Sequence, residues 1–128
     1  MIVRLREYAI PICETKNITF NMQVDEAIYA MKLGMEERRN VFLIVKEAVN
    51  NSVKHAACSQ LSITFVLRHK QLEIKIIDNG CGFDPTQRGL RNGVSNMERR
   101  AEKIKADLHI HSEKAAGTTI TLLYGRRS

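Results

Sequence analysis

The chain has 128 residues, of which 44% are hydrophobic and 27% charged, and its net charge is +6. This size fits one domain around one core, and the composition is typical of a soluble protein rather than of a disordered or membrane one. No apolar run approaches the roughly 20 residues that span a bilayer, and the N-terminus lacks a signal-peptide layout. The three cysteines have no metal-ligand spacing, so we interpret them as reduced thiols of a cytoplasmic protein.

The basic charge does not by itself indicate nucleic-acid binding. Lysines and arginines are spread along the chain, aromatic residues make up only 5%, and no helix-turn-helix or zinc-finger spacing is present. An anionic ligand would account for part of the excess, and a solvated basic surface accounts for the rest. We therefore expect no nucleic-acid partner.

The first half of the chain predicts a helix, a strand and a longer helix. Residues 3–13 are amphipathic, although Pro11 should end or kink the helix there. Residues 18–24 alternate apolar and polar side chains, as a half-buried strand does. After a connection at 25–34, residues 35–57 carry one stripe of apolar and small side chains. Its members are Val41, Phe42, Val45, Ala48, Val49, Ser52, Val53 and Ala56.

The second half predicts two hairpins with a loop and a helix between them. Alternating strands at 61–68 and 72–78 are followed by a polar segment, 79–94, whose four glycines and Pro85 indicate a mobile loop. A capping box from Ser95 to Glu98 opens a helix to about residue 104. Strands at 107–112 and 118–124 form the second hairpin, and the tail after it looks frayed. The order predicts a two-layer α/β sandwich, a mixed, mainly antiparallel sheet of about five strands with helices on one face.

The long helix carries a polar ridge formed by Glu47, Asn51 and Lys54. At roughly 100° per residue, these side chains fall within about 60° of one another, opposite the apolar stripe. An Asn oxygen suits Mg²⁺, a Glu can polarise an attacking group, and a Lys can neutralise phosphate. His55 extends the ridge. The alternative is a solvated face with ordinary helical Glu–Lys spacing.

Asp78 ends the third predicted strand and is followed by Asn79, Gly80 and Gly82. A buried carboxylate there would need a donor, and the amino group of adenine has a suitable size. The glycines would let the backbone approach a ligand closely. The alternative is an ordinary Asp-Asn-Gly turn.

Gly89 and Gly93 stand just before the capped helix, with several arginines nearby. Glycines ahead of a helix N-terminus can cradle phosphate on free backbone amides. The alternative is a flexible loop with solvated arginines. Gly117 and Thr118 are weak signals alone, because a hairpin glycine before a strand is expected without any ligand.

The order of these motifs resembles the ATP-binding domain of bacterial sensor histidine kinases, within the ATPase superfamily of DNA gyrase, Hsp90 and MutL. The resemblance runs from about residue 18 to residue 123. It rests on Glu-x-x-x-Asn-x-x-Lys-His, Asp-x-Gly-x-Gly, Gly-x-x-x-Gly with Asn-Met-x-x-Arg-Arg-Ala, and Gly-Thr. It is nearest to the subgroup that has a short lid and no separate phenylalanine box. Val94-Ser95 departs mildly from the family pattern.

The resemblance implies a Bergerat-type fold and a role for each matched residue. Glu47 corresponds to the catalytic acidic residue, and Asn51 to the magnesium ligand. The remaining nucleotide-binding positions it implies are Lys54, His55, Asp78, Gly80, Gly82, Gly89, Gly93, Asn96, Met97, Gly117 and Thr118. Among these, Asp78 would receive the adenine amino group, and Gly80 and Gly82 would shape the lid hinge.

The resemblance further implies that ATP and Mg²⁺ are the cofactors, and that the γ-phosphoryl passes to a histidine on a neighbouring domain and then to a response regulator. No His-Glu or His-Asp pair on a helix serves as phosphoacceptor in this chain. We expect residues 1–128 to be one catalytic domain, with residues 1–16 the remnant of a preceding dimerisation region. The parent would be homodimeric, with this domain cytoplasmic and the parent anchored in a membrane or not.

Other functions remain open alongside this one. A stand-alone serine kinase of the anti-sigma-factor type shares the ATP fold and needs no phosphoacceptor histidine. A degenerate binding module is disfavoured by the intact Glu47, Asn51 and Asp78. The kinase hypothesis requires the ridge to face Asp78 across a gap that solvent reaches and a purine triphosphate fits.

Overall fold

A computed structural model describes residues 1–55, 57–82, 88–113 and 115–125 of the chain. Four predicted features lie wholly or partly outside these ranges: Ala56 of the helical stripe, the loop stretch 83–87 with Pro85, Lys114 of the second hairpin, and the tail 126–128. The elements in chain order are α1 (Ile2–Thr15), β1 (Thr19–Val24), α2 (Glu26–Tyr29), α3 (Met35–His55), β2 (Gln60–Arg68), β3 (Gln71–Asp78), α4 (Arg88–Lys103), β4 (Asp107–Glu113) and β5 (Gly117–Gly125).

The five strands form one mixed sheet in the order β1-β2-β3-β5-β4. β1 runs parallel to β2, and the other three pairings are antiparallel. Both predicted hairpins, β2–β3 and β4–β5, are present. β-branched residues at alternating positions explain the strands, because every second side chain can then be buried on one face. The predicted mixed, mainly antiparallel sheet with helices on one face is confirmed.

The helices cover the sheet face on which β2, β3 and β5 place their aliphatic side chains. Leu61, Ile63 and Phe65 alternate along β2, and Leu72, Ile74 and Ile76 do so along β3. α3 buries Val41, Val45, Ala48 and Val49 against them, as its stripe predicts, and it also buries Ile44, which the stripe omits. Phe42 and Val53 are only half-buried. Burial of this apolar surface is the main stabilising term of the fold.

Helix α1 belongs to the same core as the rest of the described structure. Leu5, Ala9 and Cys13 recur along one of its faces and are buried in that cluster. Pro11 lies on the exposed side and neither ends nor visibly interrupts the helix, which continues to Thr15. Proline removes one helical hydrogen bond, and the buried Cys13 beyond it keeps the last turn packed. The suggestion that residues 1–16 derive from a preceding region stays a prediction.

Two local predictions are wrong. The connection at 25–34 contains a short helix, α2, which buries Ile28. More importantly, the segment 79–94 is not loop throughout, because α4 begins at Arg88. Ser95 therefore lies inside α4 instead of capping it. Packing of Met97 and Ala101 in the core stabilises the helix, and this tertiary contact outweighs the helix-breaking tendency of its glycines.

Candidate functional site

Asp78 is the last residue of β3 and is only 4% exposed, on the sheet face covered by helices. Its Oδ2 accepts a hydrogen bond of 2.8 Å from the Ser52 hydroxyl, and its Oδ1 accepts one of 2.9 Å from the Gly80 amide. The buried carboxylate thus has two donors within the chain, as a buried carboxylate requires, and donation by an adenine amino group stays a prediction. Each oxygen has a second acceptor position, so a further donor can still be received.

The start of β5 lies directly beside Asp78. Thr118 is paired with Asp78 in the antiparallel register, so both side chains project from the same face, and Thr118 is buried. Gly117 has φ +87°, and a Cβ there would collide with the backbone carbonyl of Asp78. Only glycine allows the two backbones to approach this closely. The Gly-Thr pair thereby completes the wall next to the carboxylate.

The glycine segment after β3 is attached to the second hairpin. Gly82 has φ +84°, and a Cβ there would meet the carbonyl of Glu113. The Cys81 carbonyl accepts a 2.8 Å hydrogen bond from the amide of Ala115. Gly80 is buried by its contact with Asp78. Residues 80–82 therefore form the anchored side of the segment for which a hinge is predicted.

The side chains of the polar ridge on α3 differ widely in their exposure to solvent. Lys54 is exposed, His55 and Glu47 are half-buried, and Asn51 is only 2% exposed. Nδ2 of Asn51 is buried without a hydrogen-bond partner in the described part of the chain. Such an atom is costly and usually indicates a group that a ligand or solvent satisfies.

Helix α4 lies directly on this ridge. A Cβ at Gly93 would touch the carboxylate of Glu47 and both terminal atoms of Asn51. The head groups of Glu47 and Asn51 therefore converge on one point at Gly93. Ser52, the next residue along α3, faces Asp78 instead. The predicted ridge and Asp78 thus lie at the same end of the sheet, connected through Ser52.

The predicted α4 residues take different positions from those expected. Gly89 lies in the first turn of α4, whereas Gly93 lies beyond it, where backbone amides take part in the helical ladder. The prediction that both glycines precede the helix is wrong. Asn96 is exposed and accepts a 2.8 Å hydrogen bond from Arg99. Met97 is fully buried in the core, as well as lining the cavity described next.

A cavity of about 230 Å³ opens beside Glu47 between α1, α3 and α4. Its charged wall consists of Lys46, Arg99 and Arg100 against the single carboxylate of Glu47. The Lys46 ammonium lies 5.0 Å from the centre of the Tyr8 ring, a cation–π contact. Burial first, and then the negative charge of Glu47, raise the pKa of Tyr8. This end of the ridge is therefore suited to an anion. The wall of the cavity as a whole comprises Tyr8, Leu43, Lys46, Glu47, Asn50, Asn96, Met97, Arg99 and Arg100.

Three residues of the site, Ser52, Asn79 and Cys58, have roles in the structure that the sequence did not predict. The helical period places Ser52 in the apolar stripe. A hydroxyl in such a stripe needs a buried partner, and this need is the signal in the sequence that indicates its role. Asn79 ties the strand ends together by accepting hydrogen bonds from the amides of Ser59 and Gln60. Burial, reinforced by the charge of Asp78, raises the pKa of the Cys58 thiol to about 11.

The described residues hold no group of three His, Cys, Asp or Glu side chains arranged to bind a metal. Of the helices in the same part of the chain, none has both the length and the apolar character that a bilayer crossing demands.

Two solved structures share this fold. A histidine kinase domain from the blue-light activated histidine kinase of Erythrobacter litoralis EL346 superposes with a TM-score of 0.78 at 19% identity, over 96% of this chain and 59% of the other. The histidine kinase AdeS of Acinetobacter baumannii gives a TM-score of 0.74 at 12% identity, over 99% of this chain and 64% of the other. At these identities the likeness establishes the fold.

Sequence comparison goes further than the fold. The sensor histidine kinase LiaS of Bacillus subtilis (strain 168) is 33% identical over 92 residues, which are 71% of this chain and 25% of that protein. The chain thus spans about a quarter of the length of this curated relative. Residues 36–126 match the family described as histidine kinase-, DNA gyrase B- and HSP90-like ATPase. The chain belongs to this ATPase family.

Proposed function

We propose that the chain is the ATP-binding catalytic domain of a sensor histidine kinase. In the parent protein it would donate the γ-phosphoryl of ATP to a histidine on a neighbouring domain, and a response regulator would receive it next. Family membership and the similarity to a sensor histidine kinase support this assignment. We further propose a cytoplasmic location for the domain and a homodimeric parent.

One observation carries the proposal: neighbouring residues of α3 reach both parts of the candidate site. Glu47 and Asn51 converge at Gly93, while Ser52 holds the carboxylate of Asp78. A solvated helical face would not bury an unpaired amide, and an ordinary turn would not bury a carboxylate at 4% exposure. This arrangement therefore favours the functional interpretation over both alternatives.

At the base end, Asp78 is positioned to accept a hydrogen bond from the amino group of adenine. Hydrogen bonds from the Ser52 hydroxyl and the Gly80 amide already orient this carboxylate, which reduces the side-chain entropy lost when a ligand binds. Thr118 and Gly80 border the same carboxylate. This preorganisation gives selectivity for a base that carries a donor.

At the phosphate end, the oxygens of Glu47 and Asn51 fit a magnesium ion. Both head groups reach one point, and Mg²⁺ prefers oxygen ligands. We assign Asn51 as the ligand and Glu47 as the residue that polarises the attacking histidine. When bound, Mg²⁺ supplies neutralisation of phosphate charge. Lys54 and His55 extend this end toward solvent.

Helix α4 would have to move or adjust at Gly93 for phosphates to reach Glu47 and Asn51, because Gly93 lies against both in this structure. We propose that Gly80 and Gly82 form the hinge for this adjustment and that Gly89 and Asn96 contact the nucleotide after it. Met97 would act through the core, positioning α4.

Calorimetry with Mg-ATP tests the binding step. Wild type is expected to bind, Asp78→Asn to bind at least about tenfold more weakly, and the matched exposed control Asp25→Asn to bind as wild type does. Absence of heat with wild type, or equal affinity for wild type and Asp78→Asn, would contradict the proposal.

Phosphotransfer needs the acceptor domain of the parent protein. With labelled ATP and that domain, we expect an acid-labile, base-stable phosphate on the acceptor and little label on this chain alone. Glu47→Gln is expected to abolish transfer while Mg-ATP still binds. An acid-stable label on a serine would support the anti-sigma-factor type of kinase instead.

A further inference from the structure

A second concave surface lies between the N-terminal ends of α1 and α3, outside the nucleotide site. Its volume is about 600 Å³, within the range of about 300–1,000 Å³ typical of ligand pockets. We call it the α1–α3 groove. We refer to its apolar lining residues, Met1, Met35, Phe42 and Leu43, as the floor, and to its charged lining residues, Arg4, Glu36, Arg38 and Arg39, as the rim.

The floor exposes apolar surface that the rest of the described chain leaves uncovered. Met35 is 91% exposed, although it opens α3 immediately after a glycine. Flexible, polarisable methionine side chains are frequent on surfaces that receive other proteins, because they adapt to an incoming apolar face. The groove therefore has an interior suited to aliphatic side chains.

The rim carries three arginines and one glutamate. Arg4 is held over the Phe42 ring, with its guanidinium carbon 5.1 Å from the ring centre. Within the described ranges, the recorded salt bridges involve none of the four rim residues. Arginine is the residue best suited to pair with carboxylates at an interface. The charge balance of the rim therefore selects an acidic occupant.

The groove adjoins the cavity beside Glu47. Leu43 lines both, and Lys46, one turn further along α3, stands on the cavity side. An occupant of the groove would thus end next to Glu47. The groove is consequently placed to receive a partner that has to reach this end of the site.

We propose that the α1–α3 groove docks an amphipathic helix whose apolar stripe is flanked by carboxylates. This is the helix-in-groove mode of recognition, with aliphatic anchors on the floor and ion pairs on the rim. The proposal goes beyond ATP binding and does not depend on it. Complementary charge sets specificity and association rate, whereas the stripe supplies the buried area.

Three fluorescent peptides of about 18 residues, or about five helical turns, test the proposal by anisotropy. The first has a leucine stripe with glutamate flanks, the second has lysine flanks, and the third has the first peptide's composition with its stripe scrambled. We expect the first to bind wild type about tenfold more tightly than either of the others.

Groove variants and a matched control locate the binding. Arg38→Glu with Arg39→Glu should weaken binding of the glutamate-flanked peptide about tenfold and improve binding of the lysine-flanked one. Met35→Gln should weaken the first peptide without changing charge. Lys16→Glu with Arg68→Glu makes the same charge change at exposed positions outside the groove and should leave the difference between peptides intact.

The methionine methyl groups give an independent readout by NMR. Met1 and Met35 line the groove, whereas Met22 lies on strand β1 away from it, so the signals of Met1 and Met35 should shift on titration and that of Met22 should not. Equal binding of the striped and scrambled peptides, or equal losses in groove and control variants, would overturn the proposal. A DNA duplex that displaces the peptide and loses affinity in the groove variants would assign the groove to nucleic acid instead.

Discussion

The strand end at Asp78 and the helix contact at Gly93 are two parts of one site built in different ways. Asp78 is paired with Leu61 on one side and Thr118 on the other, so backbone registers determine its position. Gly93 instead touches the outer ends of Glu47 and Asn51 across a contact between two helices. The first part is held by backbone, and the second by side-chain termini.

This difference indicates where the site is rigid and where it can yield. Displacing a strand would break several inter-strand hydrogen bonds at once, because the strand is bonded to its neighbours along its whole length. A displaced Glu47 carboxylate only changes rotamer. The base end of the site should therefore tolerate substitution poorly, whereas the phosphate end should tolerate it well.

The largest expected effect is that of Gly117→Ala. The positive φ and the collision with the Asp78 carbonyl together should destabilise the fold by about 3 kcal/mol. Chemical denaturation measures this change. Gly34→Ala, where the added Cβ meets only the flexible end of Glu37, is the matched control and should cost little. Equal costs for the two variants would remove the distinction between backbone and side-chain contacts.

Asp78→Asn should cost about 2 kcal/mol of stability, because an amide offers one acceptor oxygen where the Ser52 hydroxyl and the Gly80 amide require two. Ser52→Ala, measured in parallel by thermal or urea unfolding, should cost less. If Asp78→Asn is as stable as wild type, the carboxylate is not held as these hydrogen bonds indicate.

The ionisation of the Cys58 thiol should make the stability of the fold depend on pH in the alkaline range. Its pKa is raised from 9.0 to about 11 in the folded protein, by burial and then by Asp78. The stabilisation is complete below about pH 9 and is lost as pH rises through about 11, because the unfolded thiol ionises first. After allowance for solvent screening of a half-buried group, the loss is about 1 kcal/mol. Urea unfolding of wild type and Cys58→Ala, both under reducing conditions, should show a smaller alkaline decrease in the variant.

Gly93→Ala should change stability least. The gain in helix propensity, about 1 kcal/mol, offsets the displacement of the Glu47 carboxylate, so the net change should stay within about 0.5 kcal/mol of zero. The same urea titration measures it. A loss as large as that of Gly117→Ala would show that the α3–α4 contact is as rigid as the strand end.

Several site residues could be predicted from the sequence because their surroundings are local. The alternation along β3 places Asp78 at its end on the buried face, and the hairpin glycine before Thr118 follows from turn chemistry. The helical period groups Glu47, Asn51 and Lys54 on one side of α3. These rules act over a few residues and need no knowledge of what packs against them.

Other features could not be predicted because distant residues create them. Ser52 becomes a partner of Asp78 only when α3 crosses the end of β3, 26 positions away in sequence. The start of α4 at Arg88, ahead of the predicted capping box, depends on packing of Met97 in the core. Local propensity favours loop there, and burial overrides it.

The sequence alone determined the order of the strands and longer helices, the sheet class and the types of side chain available at the site, because alternation, helical period and glycine position are local properties. Only the tertiary structure decided which of those side chains meet. The contact of Gly93 with Glu47 and Asn51 and the exposed α1–α3 groove both result from how separate helices pack on one sheet face. Packing between elements depends on surfaces far apart in the chain, which no local pattern encodes.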